Sequence, residues 1–151
     1  MTIKAGDKMP SGKLKHMTKD GPKDVSTDEL FKGKTVVLFS VAGAFPPACY
    51  AKTLAGFVQH ADKIEAKGVD TIACMAVNDV FVMNAWGKSS NVGDNVLMLA
   101  DGNGDYAKAL GLSLDASGFG MGTRGQRFEI TVKNGVAEKV NIEAPGKFEV
   151  S

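Results

Sequence analysis

Thr35-Val36-Val37-Leu38-Phe39-Ser40-Val41-Ala42-Gly43-Ala44-Phe45-Pro46-Pro47-Ala48-Cys49 decides how the chain is read. Its opening run is apolar and β-branched, the pattern of a buried central strand. Gly43, Pro46 and Pro47 then break the strand. Proline is tolerated in the first turn of a helix. Leu54, Phe57, Val58, Ala61 and Ile64 recur at helical spacing, so a helix is predicted from Pro47 to Lys67, stopped by Gly68. Cys49 falls in its first turn. Backbone N–H groups there lack intrahelical acceptors, and the positive end of the helix dipole lies beside them. That environment favours thiolate, the nucleophilic form of cysteine. The same N–H groups can bind an oxygen atom approaching the sulfur, so Cys49 is a candidate nucleophile toward a peroxide.

Strand and helix signals alternate on either side of this stretch. Lys13 to Val25 holds Asp20-Gly21-Pro22 between short alternating runs and is predicted to be a hairpin. Ser26 to Phe31 resembles a short capped helix. Val69 to Val77 contains a second buried strand, Thr71 to Val77, after which Asn78-Asp79 caps a helix through Phe81, Ala85 and Trp86. Val96 to Ala100 is a third strand. Asp105 is expected to cap a short helix, Tyr106 to Leu110, ended by Gly111. Arg127 to Lys133 and Val136 to Ile142 flank Asn134-Gly135, a strong hairpin-turn signal. The order β-α-β-α-β-α followed by a hairpin implies an α/β fold with a central mixed sheet flanked by helices. It is the order of an expanded thioredoxin-like fold, and residues 1–151 read as one domain.

Composition narrows the function classes. The chain has 151 residues, with 18 Lys and Arg against 17 Asp and Glu. No net field points to nucleic acid or to a membrane surface. No apolar stretch approaches the roughly 20 residues of a spanning helix, and the N-terminus carries no apolar signal core. Two cysteines, Cys49 and Cys74, are too few for a secreted disulfide scaffold, so a reducing, cytoplasmic compartment is expected. His16 and His60 have no Cys or His at ligand spacing, so no metal site is expected.

The chain resembles the peroxiredoxins, in particular the type II, or peroxiredoxin-5-like, branch. The branch's active loop reads Val-Pro-Gly-Ala-Phe-Thr-Pro-Thr-Cys, against Val41-Ala42-Gly43-Ala44-Phe45-Pro46-Pro47-Ala48-Cys49 here. Lys67-Gly68-Val69, Val77-Asn78-Asp79, Ala85-Trp86, Leu99-Ala100-Asp101-Gly102, Gly122-Thr123-Arg124, Gln126-Arg127-Phe128 and Asn141-Ile142-Glu143 extend the match over nearly the whole length. The resemblance implies an antioxidant thiol peroxidase acting on hydrogen peroxide or an organic hydroperoxide without a cofactor. Its reductant would be glutathione with glutaredoxin, or thioredoxin. Cys49 matches the peroxidatic, redox-active cysteine, and Arg127 the arginine that holds the thiolate and the peroxide oxygens. The loop at Pro46 and the N–H groups of Ala48 and Cys49 would bind substrate. The branch often forms dimers through the active-loop face, where Phe45 and Phe81 would contribute.

The departures cluster around Cys49. Pro46 stands where the branch has threonine, and proline supplies neither a hydroxyl nor an N–H to a peroxide oxygen. Ala42 replaces a proline. Ala48, Tyr50, Thr53 and Ala55 replace the usual Thr, Ser, often His, and Pro. Members of the branch usually continue into one more helix beyond the position of Ser151. The pattern predicts impaired peroxidase chemistry on an intact scaffold. The alternative is a non-catalytic relative serving as a redox-sensing or interaction module.

Other motifs read as structural. Cys74 lies in mid-strand and is either a buried packing residue or a resolving thiol. Arg124 is a candidate partner behind Arg127. Gly118-Phe119-Gly120-Met121-Gly122 precedes a strand rather than opening a helix, so it reads as a flexible loop and not a dinucleotide motif. Asp101-Gly102-Asn103-Gly104-Asp105 begins like a calcium loop, but Tyr106 and Leu112 occupy the positions that need glycine and glutamate. It reads as a turn and helix cap. Trp86 is expected in the core.

Overall fold

A computed structural model describes residues 2–45 and 48–142, and of residues 48–52 the backbone alone. Near the N-terminus, β1 (Lys13–Thr18) and β2 (Gly21–Ser26) form the expected hairpin. Its turn is Lys19-Asp20, so Gly21 and Pro22 belong to the second strand, with Pro22 opposite Met17. Proline is tolerated there because β2 is an edge strand with no further ladder to donate to. The chain continues through α1 (Thr27–Phe31), β3 (Thr35–Ser40), α2 (Ala48–Gln59) and α3 (Ala61–Ala66). Then come β4 (Thr71–Ala76), α4 (Val80–Ser89), β5 (Leu97–Ala100) and α5 (Asp105–Ala109). The last strands are β6 (Ser113–Asp115), β7 (Thr123–Gly125), β8 (Phe128–Lys133) and β9 (Val136–Ile142).

Seven strands form one sheet in the order β2-β1-β5-β4-β3-β8-β9. The strands β3, β4 and β5 run parallel, whereas β1 joins β5 and β8 joins β3 antiparallel. The mixed sheet is therefore as anticipated. Side-chain alternation sorts its two faces. Val36, Leu38, Ala73, Met75 and Ile130 meet Leu30, Phe31, Tyr106 and Leu110 on one side. Phe39, Val41, Ile72, Cys74 and Ala76 meet Leu54, Met83 and Trp86 on the other. Trp86 is a core residue, as expected. Phe39 and Phe57 stack with centroids 4.1 Å apart and an interplanar angle of 8°, seating α2 on β3.

Two expectations need correction. The single helix predicted over Pro47 to Lys67 is two, broken at His60, which leaves the helical region with φ −107° and ψ 13°. The apolar period runs through the break because the two helices use the same sheet face, so the pattern gave no sign of it. Pro47 itself lies outside the described residues. The segment around Gly118 to Gly122 is a loop ahead of Arg127, as expected. It joins β6 to β7 in a small two-stranded sheet, held by Ala116 N–H donating to Gly122 O at 2.7 Å and Met121 N–H to Ala116 O at 3.1 Å.

The second correction concerns α5. Its N-cap position is Gly104, at φ 75°, and Asp105 is already helical. The capping carboxylate belongs to buried Asp101, whose Oδ1 and Oδ2 accept the N–H groups of Tyr106 (3.1 Å) and Ala107 (2.8 Å). Both oxygens thus serve the helix start. Desolvation raises the Asp101 carboxyl above its ordinary value, and the two N–H bonds oppose that. Replacing Asp101 by alanine strands two buried donors. Asp101→Ala should lower the unfolding free energy by about 2–3 kcal/mol, measured as a shift of the denaturant midpoint at constant slope. A shift below about 0.5 kcal/mol would mean that the cap contributes little.

Candidate functional site

The site lies where β3 ends, between a parallel and an antiparallel neighbour. Ser40, the last residue of β3, is level with Met75 of β4 and with Phe128, the first residue of β8. That register brings Arg127, one residue before β8, beside the segment leading from β3 into α2. Crevices of this kind, at the carboxyl ends of parallel strands, are the usual ligand positions of open α/β sheets.

Arg127 is only 8% exposed. Its Nη2 donates to Thr53 Oγ1 at 2.7 Å, and Thr53 is 6% exposed. A guanidinium stays charged at any physiological pH and offers donors in a fixed fork. The structure thus sets a buried cation against α2. Ala48 and Cys49 are the first two residues of that helix, so their N–H groups have no acceptor within it. Thr53 lies four residues after Cys49, and positions so spaced share a helix face. The side chain of Cys49 and all of Pro46 lie outside the described residues.

The loop after β3 is braced from two sides. Val41 N–H donates to Met75 O at 3.3 Å, and Ala44 N–H donates to Asn78 Oδ1 at 2.8 Å. Asn78 therefore anchors the loop, while Asp79 caps α4 by accepting the Val82 N–H at 2.8 Å. Arg124 donates from Nη1 to Val77 O at 2.9 Å and from Nε to Met121 O at 3.0 Å. A Cβ added at Gly43 would lie 3.3 Å from Arg124 Nη1, so the close approach suits glycine. Arg124 thus supports the loop and the end of β4. Phe45, the last described residue of the loop, takes a positive φ of 54°, a strained conformation for an aromatic residue.

Cys74 is fully buried in the middle of β4, opposite Phe39 and Met98, on the face that packs against α2 and α4. Burial pushes its thiol well above the usual cysteine range. Of the two readings open from the sequence, this position favours packing over resolving. Sequence reading missed Thr53 as a partner of the arginine and Asn78 as a loop anchor. One signal for Thr53 was available: it is a hydroxyl residue among Leu54, Phe57 and Val58, one turn beyond the cysteine.

The chain is similar to known proteins over nearly its whole length. The Redoxin family model matches residues 4–151. Chloroplastic peroxiredoxin-2E-2 of Oryza sativa subsp. japonica is 44% identical over 155 residues, covering 99% of this chain and 69% of its own length. Peroxiredoxin-2C of the same organism is 45% identical over 150 residues, covering 99% of this chain and 93% of its own. The crystal structure of reduced Prx3 from Vibrio vulnificus in complex with H2O2 superposes with a TM-score of 0.94 at 48% identity, covering 99% of this chain and 94% of that one.

A buried thiol with a raised pKa is almost wholly protonated at neutral pH and reacts slowly. Native protein treated with iodoacetamide at neutral pH should therefore show no carbamidomethyl group on Cys74, and unfolded protein should show one. Peptide mass spectrometry reads both states. Labelling of Cys74 at equal rates in the two would contradict its burial. The mixed thioredoxin-like sheet, the arginine buried against the helix that starts at Ala48 and the similarity over nearly the full length agree, and the chain belongs to the redoxin family as a type II peroxiredoxin.

Proposed function

We propose that the protein reduces hydrogen peroxide or an organic hydroperoxide with Cys49 as nucleophile and Arg127 as the stabilising cation. The observation that carries this reading is the hydrogen bond from Arg127 Nη2 to Thr53 Oγ1, which holds a buried guanidinium on the helix bearing Cys49. An adjacent fixed cation and a helix N-terminus both favour the thiolate. In the proposed reaction the thiolate attacks one peroxide oxygen. The S–O bond forms as the O–O bond breaks, and Cys49 becomes a sulfenic acid. The departing hydroxide or alkoxide takes up a proton and leaves as water or alcohol. Arg127 and the N–H groups of Ala48 and Cys49 would offset the negative charge that develops on the oxygens.

The burial of Cys74 supports resolution by an outside thiol. That thiol displaces water from the sulfenic acid to give a mixed disulfide, and a second thiol releases the Cys49 thiolate. Two electrons are thereby supplied for each peroxide. Glutathione with glutaredoxin, or thioredoxin, has the required chemistry, and the cytoplasm is the compartment proposed. Pro46 deprives the loop of the hydroxyl usual in the branch, so the rate is proposed to be impaired. Phe45 and Phe81, 55% and 65% exposed, flank the Ala44–Asn78 bond in sequence at the same end of the sheet. Their exposure supports a homodimer formed through this face.

Peroxide consumption with each reductant system tests the reading. Cys49→Ser should abolish turnover, and Cys74→Ser should keep most of it. Pro46→Thr should raise the rate of thiolate oxidation, by at most about 10²–10³-fold, the effect of one preorganised donor. Equal loss in the two cysteine variants would contradict the one-cysteine scheme. A parent whose Cys49 does not react with peroxide would favour a redox-sensing or interaction module instead.

A further inference from the structure

We infer that Thr53 is a positioning residue for the peroxidase reaction, holding Arg127 in register with the helix turn that carries Cys49. This inference rests on the proposed role of Cys49. An arginine has five donors and no acceptor, so the 2.7 Å contact can only run from Nη2 to the threonine oxygen. Both side chains are buried, and a charged donor bonded in a low-dielectric setting is held more strongly than one in water.

Each partner sits on an element that has little freedom to shift. Thr53 precedes Leu54, 1% exposed in the core under α2, and Phe57 stacks on Phe39 one turn further along. Arg127 precedes Phe128, which is fully buried and paired with Ser40 at the end of β3. The bond therefore ties two rigid elements together across the site. A guanidinium on a long side chain has several rotamers open to it. Fixing one of them is worth most where charge develops along a defined direction.

The hydroxyl has a further consequence at this position. A neutral acceptor holds the guanidinium without neutralising it. A carboxylate in the same place would compensate the charge and weaken its pull on a neighbouring thiolate. Threonine thus orients the cation without itself offsetting the charge that acts on the sulfur and the peroxide oxygens.

Three variants separate positioning from simple packing. Thr53→Val keeps shape and burial but removes the acceptor, and Thr53→Ser keeps the acceptor and loses a methyl group. Arg127→Met removes the cation. The readouts are the pH titration of Cys49 thiolate absorbance and the stopped-flow rate of its oxidation by hydrogen peroxide, with Cys49→Ser as blank. Thr53→Val should raise the Cys49 pKa and slow oxidation by roughly ten- to a hundred-fold, and Thr53→Ser should stay close to the parent. In the Arg127→Met background, Thr53→Val should change neither quantity further, because the residue acts through the arginine. If Thr53→Val does not fold, Thr53→Ala replaces it in the same comparison. An unchanged pKa and rate in the hydroxyl-free variant overturn the inference while leaving the role of Cys49 intact. Equal losses with and without Arg127 also overturn it. A parent that shows no titration or oxidation beyond the Cys49→Ser blank overturns the role of Cys49, and the inference with it.

Discussion

The antiparallel pairing of β8 on β3 is the constraint on which the site depends. With Ser40 level with Phe128, the residue before β8 must lie beside the residue after β3. One position is Arg127 and the other begins the loop to α2. A buried arginine is tolerable only where its donors meet acceptors, since an unpaired buried charge costs several kcal/mol. Thr53 supplies one acceptor at 2.7 Å. Without the sheet order, a cation more than seventy residues away in sequence could not reach the helix that begins at Ala48.

Around that constraint the rest of the fold acts as a frame. The Phe39–Phe57 stack and buried Leu54 fix α2 on its sheet face. Asn78 and Arg124, from the end of β4 and from β7, brace the Gly43–Ala44 segment that leads to the helix. Such bracing lets a loop keep an unfavoured backbone angle, as at Phe45. The sulfur chemistry of the family needs donors and a cation already in place when the O–O bond breaks, because reorganising them during the reaction would add to the barrier.

Much of the scaffold was legible in the residues themselves. Thr35 to Ser40 and Thr71 to Val77 read as buried strands because both sheet faces are covered, leaving no alternating polar positions between Val36 and Phe39 or between Ile72 and Ala76. Asn134-Gly135 announced its hairpin because that dipeptide tolerates two positive φ angles, here 49° and 81°. Asp79 read correctly as a cap because it stands immediately before its helix. The Asp101 to Asp105 stretch reads as a turn and helix cap, as the structure has it, but the local pattern points to Asp105 for the cap; Gly104, with its left-handed backbone, lets the Asp101 carboxylate, five and six residues back, reach the helix N–H groups instead. The three-residue strands β6 and β7 are too short to carry a period. The branch resemblance marked Cys49 and Arg127. It registered Thr53 only as a departure, since its meaning lies in a contact with an arginine 74 positions away that no local pattern encodes.

The central claim is that Arg127, placed by sheet order and held by α2, makes Cys49 acidic. The direct measurement is the pH titration of Cys49 thiolate absorbance in the Cys74→Ser protein, with and without Arg127→Met, each confirmed folded by circular dichroism. The account predicts a Cys49 pKa well below the ordinary value of about 8.5, moving upward when the cation is removed. A Cys49 pKa at or above the ordinary value, or one that Arg127→Met leaves unmoved, would contradict it.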